Sequence, residues 1–294
     1  MRLSGLQRKE ERLFYVFISP WLIGFLAFYL IPILASLGLS LTEYNFFRPP
    51  QFVGLANYAR LLTGELFRVS LFNTLYMVVF GVPVWVATAL GIALLVNKEI
   101  RGIRVFRTGF YLPAVTSGVA VSVLWMYIFL PQFGLIPQLL SLVGLRSPFW
   151  LGDPRWVKPA FIIMGTWAAG GSMPIYLAGL KGIPKELYEV AELDGAGVVT
   201  KFRHITLPLL TPVLFFNLVT GVIGSFQYFT QAYVMTAGGP VNATLFLGLY
   251  IYREAFEALR MGSACALAWV LFFFTIAATA VQFWGARRWV YYEF

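Results

Sequence analysis

Six stretches free of charged side chains, at about residues 13–42, 69–96, 109–131, 159–180, 207–235 and 262–286, constrain this chain more than anything else in it. A helix needs ~20 mostly apolar residues to cross the hydrocarbon of a bilayer, and only a helix or a closed barrel satisfies its own backbone there. Each of the six is long enough. With 59% of its 294 residues apolar and 12% charged, the chain lies well outside the range of water-soluble domains. The reading is an all-α integral membrane protein with six transmembrane helices, folded as a single transmembrane domain over 1–294. The first run has the basic start of a secretory signal, but it is too long for a signal core and contains Pro20 and Pro32, so it reads as a retained first span.

Lysine and arginine stay on the cytoplasmic side of membranes, so their distribution orients the spans. With both termini inside, fourteen basic residues are cytoplasmic: Arg2, Arg8, Lys9 and Arg12, then four over 98–107, four over 181–203, and Arg287 and Arg288. Eight fall on the other side. The net charge of +9 is spread over every loop rather than gathered into one stripe, which argues against a nucleic-acid partner. The single cysteine, Cys265, lies inside the sixth run, and the single histidine, His204, reads as structural or solvated rather than as a proton relay. No cluster with metal-ligand spacing occurs, no cofactor is expected in this chain, and neither a P-loop nor an H-E-x-x-H stretch is present. No acid is expected within a span.

The polar segment between the fourth and fifth runs carries the most specific signal. It reads E-V-A-E-L-D-G-A-G over 189–197 and I-T-L-P over 205–208. Pro184 suits a helix start, three glutamates follow near the positive helix end, and Gly195 suits a stop, so a short helix is expected over 185–194 with an apolar edge of Leu187, Val190, Ala191 and Leu193. Glu189, Ala191, Gly195, Ile205, Leu207 and Pro208 fit the E-A-A, three residues, G, nine residues, I-x-L-P pattern of permease subunits of ATP-binding-cassette (ABC) importers; Val190 is the one departure. Asp194, Ala196 and Phe202 match its sugar-importer version. The chain thus resembles the maltose and glycerol-phosphate importer permeases, which implies the type I ABC importer permease fold. The loop 181–206 would be cytoplasmic, with Glu189, Ala191, Leu193, Asp194, Gly195 and Ala196 docking on an ATPase subunit.

The resemblance extends along the chain. Phe52-Val-Gly-Leu-Ala-Asn57-Tyr58 is similar to an F-x-G-L-x-N-Y segment of sugar permeases; Asn73-Thr74 also fits, although helix capping accounts for that pair equally well. Pro113 should kink or start the third span, and residues 132–156 look like a short amphipathic helix at the outer surface. In the fourth span, Gly170, Gly171, Ser172 and Pro174 offer close packing and a bend; the family's pathway includes this helix, which singles out Trp167 and Ser172. In the fifth, Ser225, Phe229 and Tyr233 recur every four residues, and with Gln227, Tyr228 and Gln231 they would line the substrate pathway. Helix-to-helix hydrogen bonding explains each singly almost as well. Rings beside amides and hydroxyls suit a sugar. Gly238, Gly239 and Pro240 resemble the family's outer G-G-P loop, implied to meet a solute-binding protein.

The resemblance implies a sugar or oligosaccharide permease of a bacterial or archaeal cytoplasmic membrane. Its partners would be a second homologous permease, two ABC ATPase subunits that bind ATP and magnesium, an extracytoplasmic solute-binding protein and the lipid bilayer. The chain itself would not be an enzyme. A permease for glycerol phosphate or another polar solute is the alternative, and a secondary transporter, which would need intramembrane acids, is the more remote one.

Overall fold

The computed structural model describes residues 5–98 and 100–291; Arg2 of the basic start lies outside them. Five helices are long and apolar enough to cross a membrane: Lys9–Ser40, Glu65–Val96, Val157–Gly182, Val198–Phe226 and Met261–Ala286. The third in chain order, which brings the spans among the described residues to six, is a broken pair, Ile103–Val115 and Gly118–Ile128, bent by 102°. The helices outrun the charge-free stretches, so Glu10 and Glu11 lie within Gly5–Phe25, past its first turn, and Glu65 opens Glu65–Tyr76, rather than in loops. At Glu65 a carboxylate is favourable, because the helix dipole is positive there.

By contacts the chain divides into two units. The first runs to Thr63 and adds Ile251–Val270. Its long opening helix passes through a wider π-type turn at Leu26–Leu30 and continues to Ser40. A two-stranded antiparallel ribbon follows, pairing Thr42 with Phe52 and Glu43 with Gln51, which hydropathy alone does not foreshadow. The F-x-G-L-x-N-Y motif has a structural use here. Buried Asn57 donates from Nδ2 to the carbonyls of Ser40 (2.9 Å) and Thr42 (2.8 Å), and the Tyr58 hydroxyl meets Ser40 Oγ at 2.8 Å. Glu254, 4% exposed, is paired with Arg260 at 2.7 Å.

The second unit holds Gly64–Tyr250 and the chain from Leu271 onward. Its main core joins Ala89, Ala93 and Val96 of the second span to Met173, Tyr176, Leu177 and Leu180 of the fourth and Leu210 of the fifth. Small alanines on one helix face let the neighbouring spans approach, as membrane packing requires. A smaller cluster joins Val82 to Val222 and Phe226.

Pro113 neither starts nor breaks the third span. It sits near the end of Ile103–Val115, and the chain turns extended at Thr116 and Ser117. The Thr116 amide turns back to Pro113 O, and the Thr116 hydroxyl takes Leu112 O instead at 3.1 Å. A side chain thereby satisfies a carbonyl that the broken ladder would leave bare. The fourth span tightens into a 3₁₀ turn at Ala169–Ser172, as the glycine pair suggested. A Cβ on Gly170 would lie 2.0 Å from Phe110 O, so only glycine lets the third span pack here. Gly170→Val should destabilise the protein by about 3 kcal/mol or more through overpacking. A lower melting temperature in detergent would show it; an unchanged one would contradict this packing.

Candidate functional site

The fifth span does not continue to 235. It ends at Phe226, residues 227–229 leave helical geometry, and a separate helix covers Thr230–Thr236. Ser225 therefore does not share a helix face with Phe229 and Tyr233, and the four-residue period does not run through this segment. Tyr228, in the break, and Gln231, just after it, line a cavity together with residues of the second and fourth spans. The Thr230–Thr236 helix packs on Gly118–Ile128, so the two broken spans lie together.

Between spans two, four and five lies a cavity of about 360 Å³. Ser172, Tyr228 and Gln231 line it, and so do Trp85, Tyr176, Asn217 and Thr220. No charged residue stands among its lining residues. Trp85 is held by its indole N–H, which donates to Ile162 O at 2.9 Å, and its ring lies parallel to that of Tyr228 at 6.5 Å. Tyr228 is further enclosed by Phe246 at 5.2 Å and Phe161 at 6.0 Å. Asn217 donates to Val213 O at 2.8 Å within its own helix. The arrangement offers flat apolar faces and neutral hydrogen-bonding groups, the equipment for a polyhydroxylated solute.

The other pathway candidates lie outside the cavity wall. Trp167 stands edge-on to Trp125 at 6.1 Å and is 41% exposed. Ser225 is buried, Gln227 is exposed, and Phe229 stacks on Tyr233 at 5.5 Å. Trp85, Tyr176 and Thr220 were not singled out from sequence. The signal was present in spacing: Ser172 and Tyr176 are four apart and Asn217 and Thr220 three apart, one helix face in each case. Trp85 carried no such signal within its apolar run.

At the other end of spans four and five, the expected short helix forms over Lys185–Leu193. Gly195 adopts φ +76°, its N–H bonds Glu192 O at 3.0 Å, and Ala196 N–H bonds Ala191 O at 2.8 Å. This paired closure is the Schellman cap, and it needs a residue at ease with left-handed geometry. Tyr188 anchors one side of the helix, its hydroxyl 2.9 Å from Thr206 Oγ1, and Glu192 pairs with Lys201 beyond the cap. Leu187, Val190 and Leu193 are left exposed, Leu193 at 89%, while Ala191 is half-buried. An exposed apolar edge on a helix of otherwise charged residues fits a docking surface.

The segment after the fifth span is tightly built. Thr244 Oγ1 meets Gly239 O and Thr236 Oγ1, each at 2.7 Å, and the Gly239–Pro240 peptide is cis. Gly238 is buried and Gly239 and Pro240 are half-buried, whereas Val241 beside them is 87% exposed. Asn73 and Thr74 are not helix caps; they lie inside the Glu65–Tyr76 stretch. Asn73 Nδ2 donates to Asn242 O (2.8 Å) and Leu245 O (3.2 Å), and its Oδ1 accepts from Lys158 Nζ at 3.0 Å. Thr74 Oγ1 accepts from the Leu247 amide at 3.0 Å.

Comparison with known proteins bears on what these features serve. Residues 70–291 match the family described as binding-protein-dependent transport system inner membrane component. The chain belongs to that family. It is 42% identical to the probable ABC transporter permease protein YesP of Bacillus subtilis, covering 100% of this chain and 96% of that protein. It is 35% identical to the lactose transport system permease protein LacF of Rhizobium radiobacter, with 97% of each covered. The fold matches a chain in the crystal structure of a bacterial alginate ABC transporter in complex with an alginate pentasaccharide-bound periplasmic protein, with a TM-score of 0.80 at 26% identity over 95% of this chain and 96% of that one. This permease family member is accordingly a multi-pass membrane protein with the ABC importer permease fold.

Asn73→Ala would remove three hydrogen bonds at once. It should cost about 2–4 kcal/mol, against about 0.5 kcal/mol or less for Thr108→Ala, which loses one exposed bond within its own helix. Thermal unfolding of the purified variants measures both; equal effects would refute the bridging role of Asn73.

Proposed function

We propose that this chain is a membrane-spanning subunit of an ABC importer, that its cavity forms part of the pathway for a sugar or oligosaccharide, and that partner subunits supply the energy. The observation that carries the reading is the cavity itself: rings of Trp85 and Tyr228 beside the hydroxyls and amides of Ser172, Thr220, Asn217 and Gln231, with no charge among them. A sugar stacks its CH faces on rings and exchanges its hydration for such groups. The lactose permease of Rhizobium and the alginate transporter, both similar over nearly the whole chain, support the same substrate class.

The expected assembly pairs this chain with a second homologous permease, two ATPase subunits and an extracytoplasmic solute-binding protein in a bacterial or archaeal cytoplasmic membrane, both termini inside. ATP and magnesium bind the ATPase subunits. The basic residues favour this orientation, and the large apolar side chains of the first span, Phe17 at 80% and Phe28 at 79% exposed among them, suit lipid or a neighbouring permease. Glu189, Ala191, Leu193, Asp194, Gly195 and Ala196 would meet the ATPase, and the Gly238–Pro240 turn, with exposed Val241, the binding protein.

The path of force is short. The Lys185–Leu193 helix is tied through Tyr188 to the cluster that holds Tyr176, and Tyr176 lines the cavity. A displacement of the helix by a closing ATPase reaches the cavity wall through packed side chains, the kind of contiguous element that can couple two sites.

Purification of the tagged chain from its native membrane tests this reading. Wild type should bring down an ATPase and a second permease with ATP hydrolysis. Leu193→Asp, on a side chain that supports nothing in the fold, should lose about tenfold or more of the co-purified ATPase, as expected for a charge placed in an apolar contact. Retention of full hydrolysis by Leu193→Asp, or a chain that purifies alone, would overturn it.

A further inference from the structure

The Tyr176 hydroxyl is fully buried and has no hydrogen-bond partner among the described residues. Buried polar groups are almost always satisfied, and one that is not requires a partner from outside or a reason for its strain. Tyr176 lines the cavity, one helical turn from Ser172 on the same face of the fourth span and across from Asn217 of the fifth. Of the other polar cavity-lining side chains, Trp85 is tied to Ile162, Asn217 to Val213 and Thr220 to Phe216, Tyr228 sits among rings, and Ser172 and Gln231 are only half-buried. Tyr176 is the lining residue whose polar atom is both enclosed and unclaimed.

We propose that the Tyr176 hydroxyl is a specificity-determining contact of the pathway, bonding one hydroxyl of the transported saccharide. The proposal rests on the sugar-importer reading above and adds the residue that reads the sugar. Since no charge lines the wall, recognition by this chain works through hydroxyls and ring faces; charge on an acidic sugar must be met by another subunit. A site built to bond a hydroxyl discriminates strongly against an analogue lacking it, because the protein group is then left bare. The same side chain belongs to the packed cluster that reaches the Lys185–Leu193 helix, so occupation of the cavity and position of that helix act on one residue.

Tyr176→Phe tests this cleanly, because it keeps the ring and its packing and deletes only an atom that bonds nothing in the protein. The complete importer, with its binding protein, is reconstituted in proteoliposomes and offered a mixed pool of neutral and uronate-containing mono-, di- and trisaccharides, with uptake read by mass spectrometry. Wild type should accumulate at least one saccharide. Tyr176→Phe should take it up about five- to tenfold more slowly at limiting sugar, as expected for one lost hydrogen bond, with a melting temperature no lower than that of wild type. Monodeoxy analogues of that saccharide decide the assignment. One of them should be rejected by wild type and lose that disadvantage in Tyr176→Phe, a coupling that general damage to the fold does not produce. Unchanged uptake by the variant, or the same discrimination against every analogue, would show that the hydroxyl meets water only and overturn the proposal while leaving the importer reading intact. Failure of wild type to accumulate any saccharide would overturn the importer reading itself, and the proposal with it.

Discussion

A backbone group released from its helix inside a bilayer has no water to turn to, so a spanning chain can break a helix only where protein or a wet cavity takes over the freed groups. Among the described residues helical geometry is lost inside one span, at Thr116–Ser117, and at the end of another, at Gln227–Phe229. The compensation is visible at the first break, where a threonine hydroxyl takes the carbonyl its own amide abandons. At the second, the short helix after the break packs beside the first. The cavity lies between spans two, four and five, and Tyr228 and Gln231, at and just after the second break, are among the residues that line it.

Other polar side chains at depth serve the same accounting. Asn73 and Thr74 tie the segment after the fifth span to span two, Lys158 of the fourth span joins Asn73, and Thr244 bonds within that segment. Among the described residues the buried polar side chains left without a partner are Trp125, Tyr176, Ser225 and Gln282, and of these only Tyr176 lines the cavity. The core is mostly apolar and alanine-rich where spans two and four meet, which leaves Tyr176 as the large side chain shared by the cavity wall and the packed interior. The Lys185–Leu193 helix hangs from that interior by Tyr188 and turns its apolar edge outward. The cavity wall and the exposed apolar edge of this helix thus belong to one packed body of side chains.

Much of this was legible in the sequence, for physical reasons that differ by element. Spans were readable because lipid demands length and apolarity, and the loop helix because Pro184 and Gly195 mark its ends by backbone geometry. The breaks were not. Pro113 looked like the kink, yet the chain stays helical through it to Val115, and the turn came at Thr116. The fifth span kept its apolar character past Phe226, so hydropathy could not see the helix stop, and the period through Ser225, Phe229 and Tyr233 was counted across a break. Asn73 looked like a cap because its partners, at 242 and 245, are distant in sequence. Of the pathway residues, Ser172, Tyr228 and Gln231 line the cavity; Trp85 could not be told from packing without the fold.

Access to the cavity tests the account most directly. In a Cys265→Ser background, a single cysteine at Thr220 would be labelled by a membrane-impermeant maleimide from each side of the membrane, in the assembled importer, with and without ATP and vanadate. A cavity that alternates its opening as the ATPase closes on the loop helix predicts a labelling rate that changes about tenfold or more between the two states and reverses between the two sides, as a shift in population requires. A rate that is the same in both states, or no labelling from either side, would contradict it.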